Sequence, residues 1–207
     1  MDHRARAREL AAQYIARGDS QGWFEQLYRE ADEGKAIIPW ADRQANPNLI
    51  EFWKKNSIPT TGKTALIVGC GLGDDAEQLA AWGFQTSAFD ISESAIHTCR
   101  LRFPSSNVNY SAADLFNPPN EWIRAFDFVV ESYTLQVLPP HIRQRAIYCI
   151  ADFVRDGGWL LVIARGRGQE DGTGQMPWPL MRKELDTIAD YGLQELTFEE
   201  YFDCESP

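Results

Sequence analysis

The chain has 207 residues, 44% of them hydrophobic and 24% charged, which supplies one sizeable core and excludes a disordered chain. Twenty Lys and Arg against thirty Asp and Glu leave a formal charge of -10, so a protein held to nucleic acid or to an anionic membrane by a basic surface is excluded as well. No apolar run approaches the ~20 residues of a membrane span. The basic start MDHRARARELAAQYIARG lacks the apolar stretch of a secretory signal, so a cytoplasmic protein is expected.

Residues 4–17 place Leu10, Ala11, Tyr14 and Ile15 on one helical stripe, closed by Gly18. Asp19 or Ser20 then caps a second helix, SQGWFEQLYREADEG, whose Trp23, Phe24, Leu27 and Tyr28 share a face. KAIIPWADRQANPN reads as a loop before a short helix, LIEFWKKN. From Thr64 onward the texture changes. TALIVG, FQTSAFD, NVNYSAA, FDFVVES and WLLVIAR read as five strands, and DDAEQLAAWG, SESAIHTCRLRFP, NPPNEWIRA and HIRQRAIYCIADFVRDGG read mostly as helices. This alternation builds a parallel sheet covered by helices on both faces. The nearly continuous apolar runs FDFVVES and WLLVIAR read as central strands. A Gly-rich loop, RGRGQEDGTGQ, then MPWPL, a helix RKELDTIADYG and a possible strand LQELTFEEYFD complete the chain. The whole of 1–207 reads as one domain, with a helical extension and lid over 1–57 and an α/β core over 63–207.

Cys70, Cys99, Cys149 and Cys204 form no CxxC pair, and His3, His97 and His141 have no ligand spacing. Free thiols and no metal site are expected.

The chemistry concentrates at the strand ends. In VGCGLGDDAEQLA, Gly69, Gly71 and Gly73 permit a tight turn and close backbone approach to a ligand. A dinucleotide fingerprint would put its third glycine at 74, where this chain has Asp74 followed by Asp75. Two acids suit a cation better than a pyrophosphate, and S-adenosylmethionine (SAM) carries a sulfonium and an ammonium. Complementing the helix dipole is the other reading of these acids. Asp90, at the end of the second strand, is placed to accept ribose hydroxyls, with Ile91 beside it. Asp114 and Leu115 at the third strand end suit an adenine, the acid to its amino group and the leucine to its face; a plain turn role for Asp114 stays open. Glu131, ending a buried strand, needs a partner, and a sulfonium in the cleft would be one. Tyr133 is the candidate nearest the acceptor, with a core or lid role as the alternative.

These four strands resemble a class I SAM-dependent methyltransferase. Within that class IIPWADRQANPNL, VGCGLGDDAEQLA, FDISESAI, FDFVVESYTLQVLPP and PWPLMRKEL resemble the thiopurine and thiol/halide methyltransferase-like group, over roughly residues 20 to 200. The resemblance implies a Rossmann-like three-layer sandwich with a mostly parallel sheet, SAM as cofactor and S-adenosylhomocysteine (SAH) as product. It implies that Trp40 closes over the cofactor; stapling the extension to the core is the other reading. The chain departs from the class at Ile67, where many members carry an acid. The class closes its sheet with a seventh strand, yet only Cys204 to Pro207 follows LQELTFEEYFD, so a six-stranded sheet or a truncated chain is expected.

The expected acceptor is a small molecule, a thiol or thiopurine-like sulfur or a halide, reached past Trp23, Phe24, Tyr133 and Trp178. Soft nucleophiles need little general-base help, and no firm catalytic residue is singled out. A monomer or weak dimer is expected. The rivals are a SAM-binding protein without catalysis, an O- or N-methyltransferase, and, further off, an NAD-dependent oxidoreductase.

Overall fold

The computed structural model describes residues 4–172 and 174–201. Its central sheet contains β1 (Thr64–Val68), β2 (Gln85–Asp90), β3 (Asn109–Ala112), β4 (Phe126–Ser132) and β5 (Val154–Ile163), in the order β3-β2-β1-β4-β5. All four pairings are parallel. Parallel strands need crossovers, and helices supply three of them. They are α4 (Asp74–Ala81), α5 (Glu93–Arg102) and α6 (Pro140–Asp152). One face of the sheet buries Ile67, Phe128 and Val130 with Leu79 and Leu49; the other buries Leu66, Val129 and Phe89 with Ile147 and Ile150. The α/β sandwich expected from the alternating pattern is the observed fold.

The extension contributes α1 (Ala5–Ile15), α2 (Gly22–Asp32) and α3 (Pro47–Lys55). Ala7, Leu10 and Ala11 of α1 pack on Trp23 and Leu27 of α2, with Met176 from the segment after β5. Full burial of a Leu27-sized side chain contributes roughly 1.5–3 kcal/mol, so this small cluster is a substantial hold on the extension. α3 starts at Pro47, earlier than expected, because Asn46 accepts from the Asn48 N–H at 2.9 Å and proline suits the first helical position.

The structure corrects several expectations. NPPNEWIRA is one 3-10 turn, Asn120–Trp122, since Pro118 and Pro119 cannot supply helix N–H donors. VRDGG belongs to β5 rather than to the helix before it: Val154 pairs with Phe126, and the register shifts before Trp159 meets Phe128. The strand β5 is at the edge of the sheet, and Trp159 is 38% exposed, so WLLVIAR is not central. Among the described residues the sheet has five strands instead of six. Leu193–Tyr201 forms no strand; it is pinned by Arg182–Glu195 and Lys55–Glu199 ion pairs, and the rest of LQELTFEEYFD lies outside the described residues. A separate two-residue parallel pair joins β6 (Gly166–Arg167) to β7 (Leu180–Met181), followed by α7 (Arg182–Asp186). Cys204 and His3 also lie outside the described residues. No described helix is long and apolar enough to cross a membrane.

Candidate functional site

The strand order reverses between β1 and β4, and the C-terminal ends of an open parallel sheet face a crevice at such a switch point. A cavity of about 470 Å³ lies there. Its floor is Gly69, Cys70 and Gly71 after β1, Asp90 and Ile91 at the end of β2, Leu115 after β3, and Ser132 to Thr134 at the end of β4. Its roof comes from the extension, with Phe24, Tyr28 and Trp40, and from Met176 and Pro177 after β5. Arg165, just beyond β5, and Gln136 complete one end.

The turn after β1 needs its glycines. Gly69 and Gly71 have φ of 62° and 55°. A Cβ on Gly69 would run into the Thr134 hydroxyl, and one on Gly71 would lie 3.2 Å from the Tyr28 hydroxyl. Asp90 fastens this turn. Its carboxylate accepts from the Gly71 and Ser92 N–H groups, both at 3.0 Å. Burial pushes its pKa up to about 6, against the lowering effect of these bonds. Asp75, on the same wall, accepts from the Asn46 N–H at 2.7 Å and is likewise raised by burial to about 6. Asn46 also donates its side-chain amide to Ser132 Oγ at 2.9 Å, which holds the loop before α3 against the β4 end. Trp40 Nε1 donates to the Tyr28 hydroxyl at 3.0 Å, closing the roof over the glycine turn. Tyr133 stands on the wall with a φ of 63°, an uncommon backbone state for a non-glycine residue. Among the described residues no three His, Cys, Asp or Glu are grouped to hold a metal ion.

Residues 65–158 match a family model described as a methyltransferase domain. These residues carry a methyltransferase domain, on the fold of the class I SAM-dependent methyltransferases. Thiocyanate methyltransferase 1 of Brassica oleracea is 23% identical over 197 residues, covering 93% of this chain and 82% of that protein. Thiopurine S-methyltransferase of Aliivibrio salmonicida is 26% identical over 145 residues, 62% of this chain and 66% of that one. The ubiquinone biosynthesis O-methyltransferase of Thiobacillus denitrificans is 31% identical over 117 residues, but this chain spans only half of its length. Among solved structures, a TehB-like SAM-dependent methyltransferase from Corynebacterium glutamicum shares the fold, with a TM-score of 0.54 and 18% identity over 81% of this chain and 80% of that one.

The cavity wall brings together Trp40, Gly69, Gly71, Asp74, Asp90, Ile91, Leu115, Phe24 and Tyr133, nine of the residues singled out in the sequence. Five others stand off it. Gly73 starts α4 with a φ of 90° and faces the Tyr110 hydroxyl. Asp114 takes its turn role, accepting from the Phe116 N–H at 2.9 Å and from Gln21 Nε2 at 3.4 Å. Trp23 is wholly buried in the extension, stacked on Phe24 at 3.8 Å, and leaves the cavity to its neighbour. Trp178 donates its backbone N–H to the Gln136 carbonyl at 2.7 Å and packs on the extension's cluster. Glu131 is turned into the core: one oxygen accepts from the Thr134 and Leu135 N–H groups at 2.6 and 2.9 Å, and the other has no partner. Its wholly buried carboxyl is raised to about 7. The expected role of Glu131 facing the cleft is therefore corrected.

Asp74 is on the wall, but its charge is met by Arg102, with two contacts of 2.8 Å. Asp75 is the acid of the pair without a basic partner in this network. Sequence reasoning missed Asn46 and Tyr28 as site-forming residues. Asn46-Pro47 is a legible helix-start signal, whereas the inward aim of Tyr28 had no local sign.

Proposed function

We propose that the domain transfers the methyl group of SAM to a small soft acceptor, a thiol or thiopurine-like sulfur or a halide. The observation that carries this reading is the roofed cavity, acidic along the glycine turn and aromatic across its cover. Its fit to the cofactor rests on Asp90, buried on the cavity wall, and on Gly69 and Gly71, where a Cβ would crowd Thr134 and Tyr28. Asp90 would hold the ribose hydroxyls, Ile91 and Leu115 would face the adenine, and Asp75 would set negative potential toward the cationic end, the charge of Asp74 being met by Arg102. Trp40 and Tyr28 would cover it.

SAM supplies an already activated methyl group: the S–CH3 bond breaks as the acceptor's bond to that carbon forms, and neutral SAH leaves. The chain's own residues align the partners and exclude water. A thiolate or halide requires no proton acceptor at the moment of transfer. Phe24, Trp40 and Tyr133 offer polarisable faces to such an acceptor.

The likeness to a ubiquinone biosynthesis O-methyltransferase favours a second reading, an oxygen acceptor. Labelled SAM with a panel of thiol, thiopurine, halide and phenol acceptors tests both. Turnover on sulfur or halide supports the first, turnover on the phenol alone replaces it, and NAD binding without SAM binding overturns both.

A further inference from the structure

Glu25 is an acid on α2 of the extension, yet its carboxylate is held by the core. Its carboxylate accepts from the Ser92 hydroxyl at 2.7 Å, the Ser94 hydroxyl at 2.8 Å and the Ser94 N–H at 3.1 Å. These donors open α5, so the carboxylate of one helix sits at the positive end of another. Burial raises the Glu25 pKa, but the hydrogen bonds from Ser92 and Ser94 outweigh it and the net direction is down. The network continues inward: the Ser92 N–H binds one oxygen of Asp90, and the other oxygen binds the Gly71 N–H. Thus one unbroken chain of hydrogen-bonded groups runs from α2 through the α5 start to the glycine turn. The same helix carries Phe24 and Tyr28, both on the cavity wall.

We propose that Glu25 is a positioning residue that couples docking of the extension to cofactor binding by holding Ser92, and through it Asp90, in place. The inference rests on the reading of Asp90 as the ribose acceptor. A ligand that engages Asp90 favours the arrangement Glu25 holds, and by linkage the same free energy secures α2 over the cavity. Occupancy and roof closure then become one event. The groups that bear on Asp90 electrostatically are Glu25 and Tyr28 from α2 and Cys70 from the glycine turn. Of these, Glu25 is the one that is charged near neutrality, and it raises the Asp90 pKa.

The test uses the full chain, with SAH titrated by calorimetry between pH 5 and 8 and amide exchange followed over residues 22–32. In the wild type, SAH slows exchange across α2. Glu25→Gln should bind SAH roughly tenfold more weakly at pH 8, the scale of losing a hydrogen bond to a charged group. It should also lose the SAH-dependent protection of α2 and move the midpoint of the pH dependence lower. Glu25→Asp, which keeps the charge, should keep the midpoint. A role confined to stability would lower affinity without moving the midpoint. Wild-type affinity, midpoint and protection in Glu25→Gln overturn the proposal. Should that variant fail to fold, Ser94→Ala removes only one hydroxyl and must reduce the protection; unchanged protection overturns the proposal. Failure of the wild type to bind SAH at all removes the function reading and this inference together, a result separable from loss of the coupling alone.

Discussion

The backbone N–H of Asn46 donates to Asp75 at 2.7 Å, joining the loop before α3 to the first turn of α4. The Asn46 amide reaches Ser132 at the same time, so a single residue ties the extension to both sides of the strand-order reversal. The acid beside the glycine turn is thereby oriented by a loop 29 residues upstream.

Asn46→Ala removes the cap of α3 and the link to Ser132 while leaving the backbone bond to Asp75. The cap alone is worth about 0.5–2 kcal/mol, so a lower unfolding midpoint in denaturant is expected. Weaker SAH binding should accompany it. An unaltered midpoint would show that the cap is dispensable.

Asp90→Asn keeps the shape of the side chain but removes its charge. SAH affinity should fall by about 1.5–3 kcal/mol in calorimetry, the usual scale for a hydrogen-bonded charged group. Unchanged affinity would leave Asp90 as a fastener of the turn and nothing more.

Three acids raised by burial set the pH dependence of the free protein, Asp75 half-buried and Asp90 and Glu131 buried. Asp75 and Asp90 are raised from 3.8 to about 6, and Glu131 from 4.5 to about 7. Each folded pKa lies above its unfolded value, so the native state holds the extra protons. Their contribution to stability is therefore full below pH 3.8–4.5 and is lost as pH rises through 6 to 7. Denaturant unfolding at pH 5 and pH 8 should show the free protein weaker at the higher pH. Glu131→Gln should flatten that difference by on the order of 3 kcal/mol. No flattening would mean that Glu131 is not protonated in the fold.

Ionised Asp75 and Asp90 favour a cationic ligand. SAM affinity should therefore rise between pH 5 and 7 more steeply than that of SAH, which lacks the sulfonium charge. Parallel curves for the two ligands would remove these acids from charge recognition.

Trp40→Ala takes away the donor to Tyr28 and opens the roof. Turnover should drop and acceptor-independent hydrolysis of SAM should rise, because water then reaches the methyl group. Tyr28→Phe, which retains the ring and loses the acceptor, should give a milder form of the same change. Normal turnover in Trp40→Ala would leave the tryptophan as a staple of the extension.

Local sequence determined the alternation of strands and helices, the glycine turn, and the arrival of Asp90 and Leu115 at strand ends. Period-two and helical patterns, glycine chemistry and the βα succession are properties of neighbouring residues, and they fix where a parallel sheet presents its crevice. The direction of individual acids was not local. Asp74 is met by an arginine 28 residues away, and Glu25 by a serine 67 residues away. Glu131 turns inward because the backbone N–H groups of Thr134 and Leu135 need an acceptor there. Likewise, Trp23 and Phe24 are adjacent, yet one fills the core and the other faces the cavity. Sequence patterning assigns a residue to a face of its own helix; which neighbour covers that face is decided only when the helices pack.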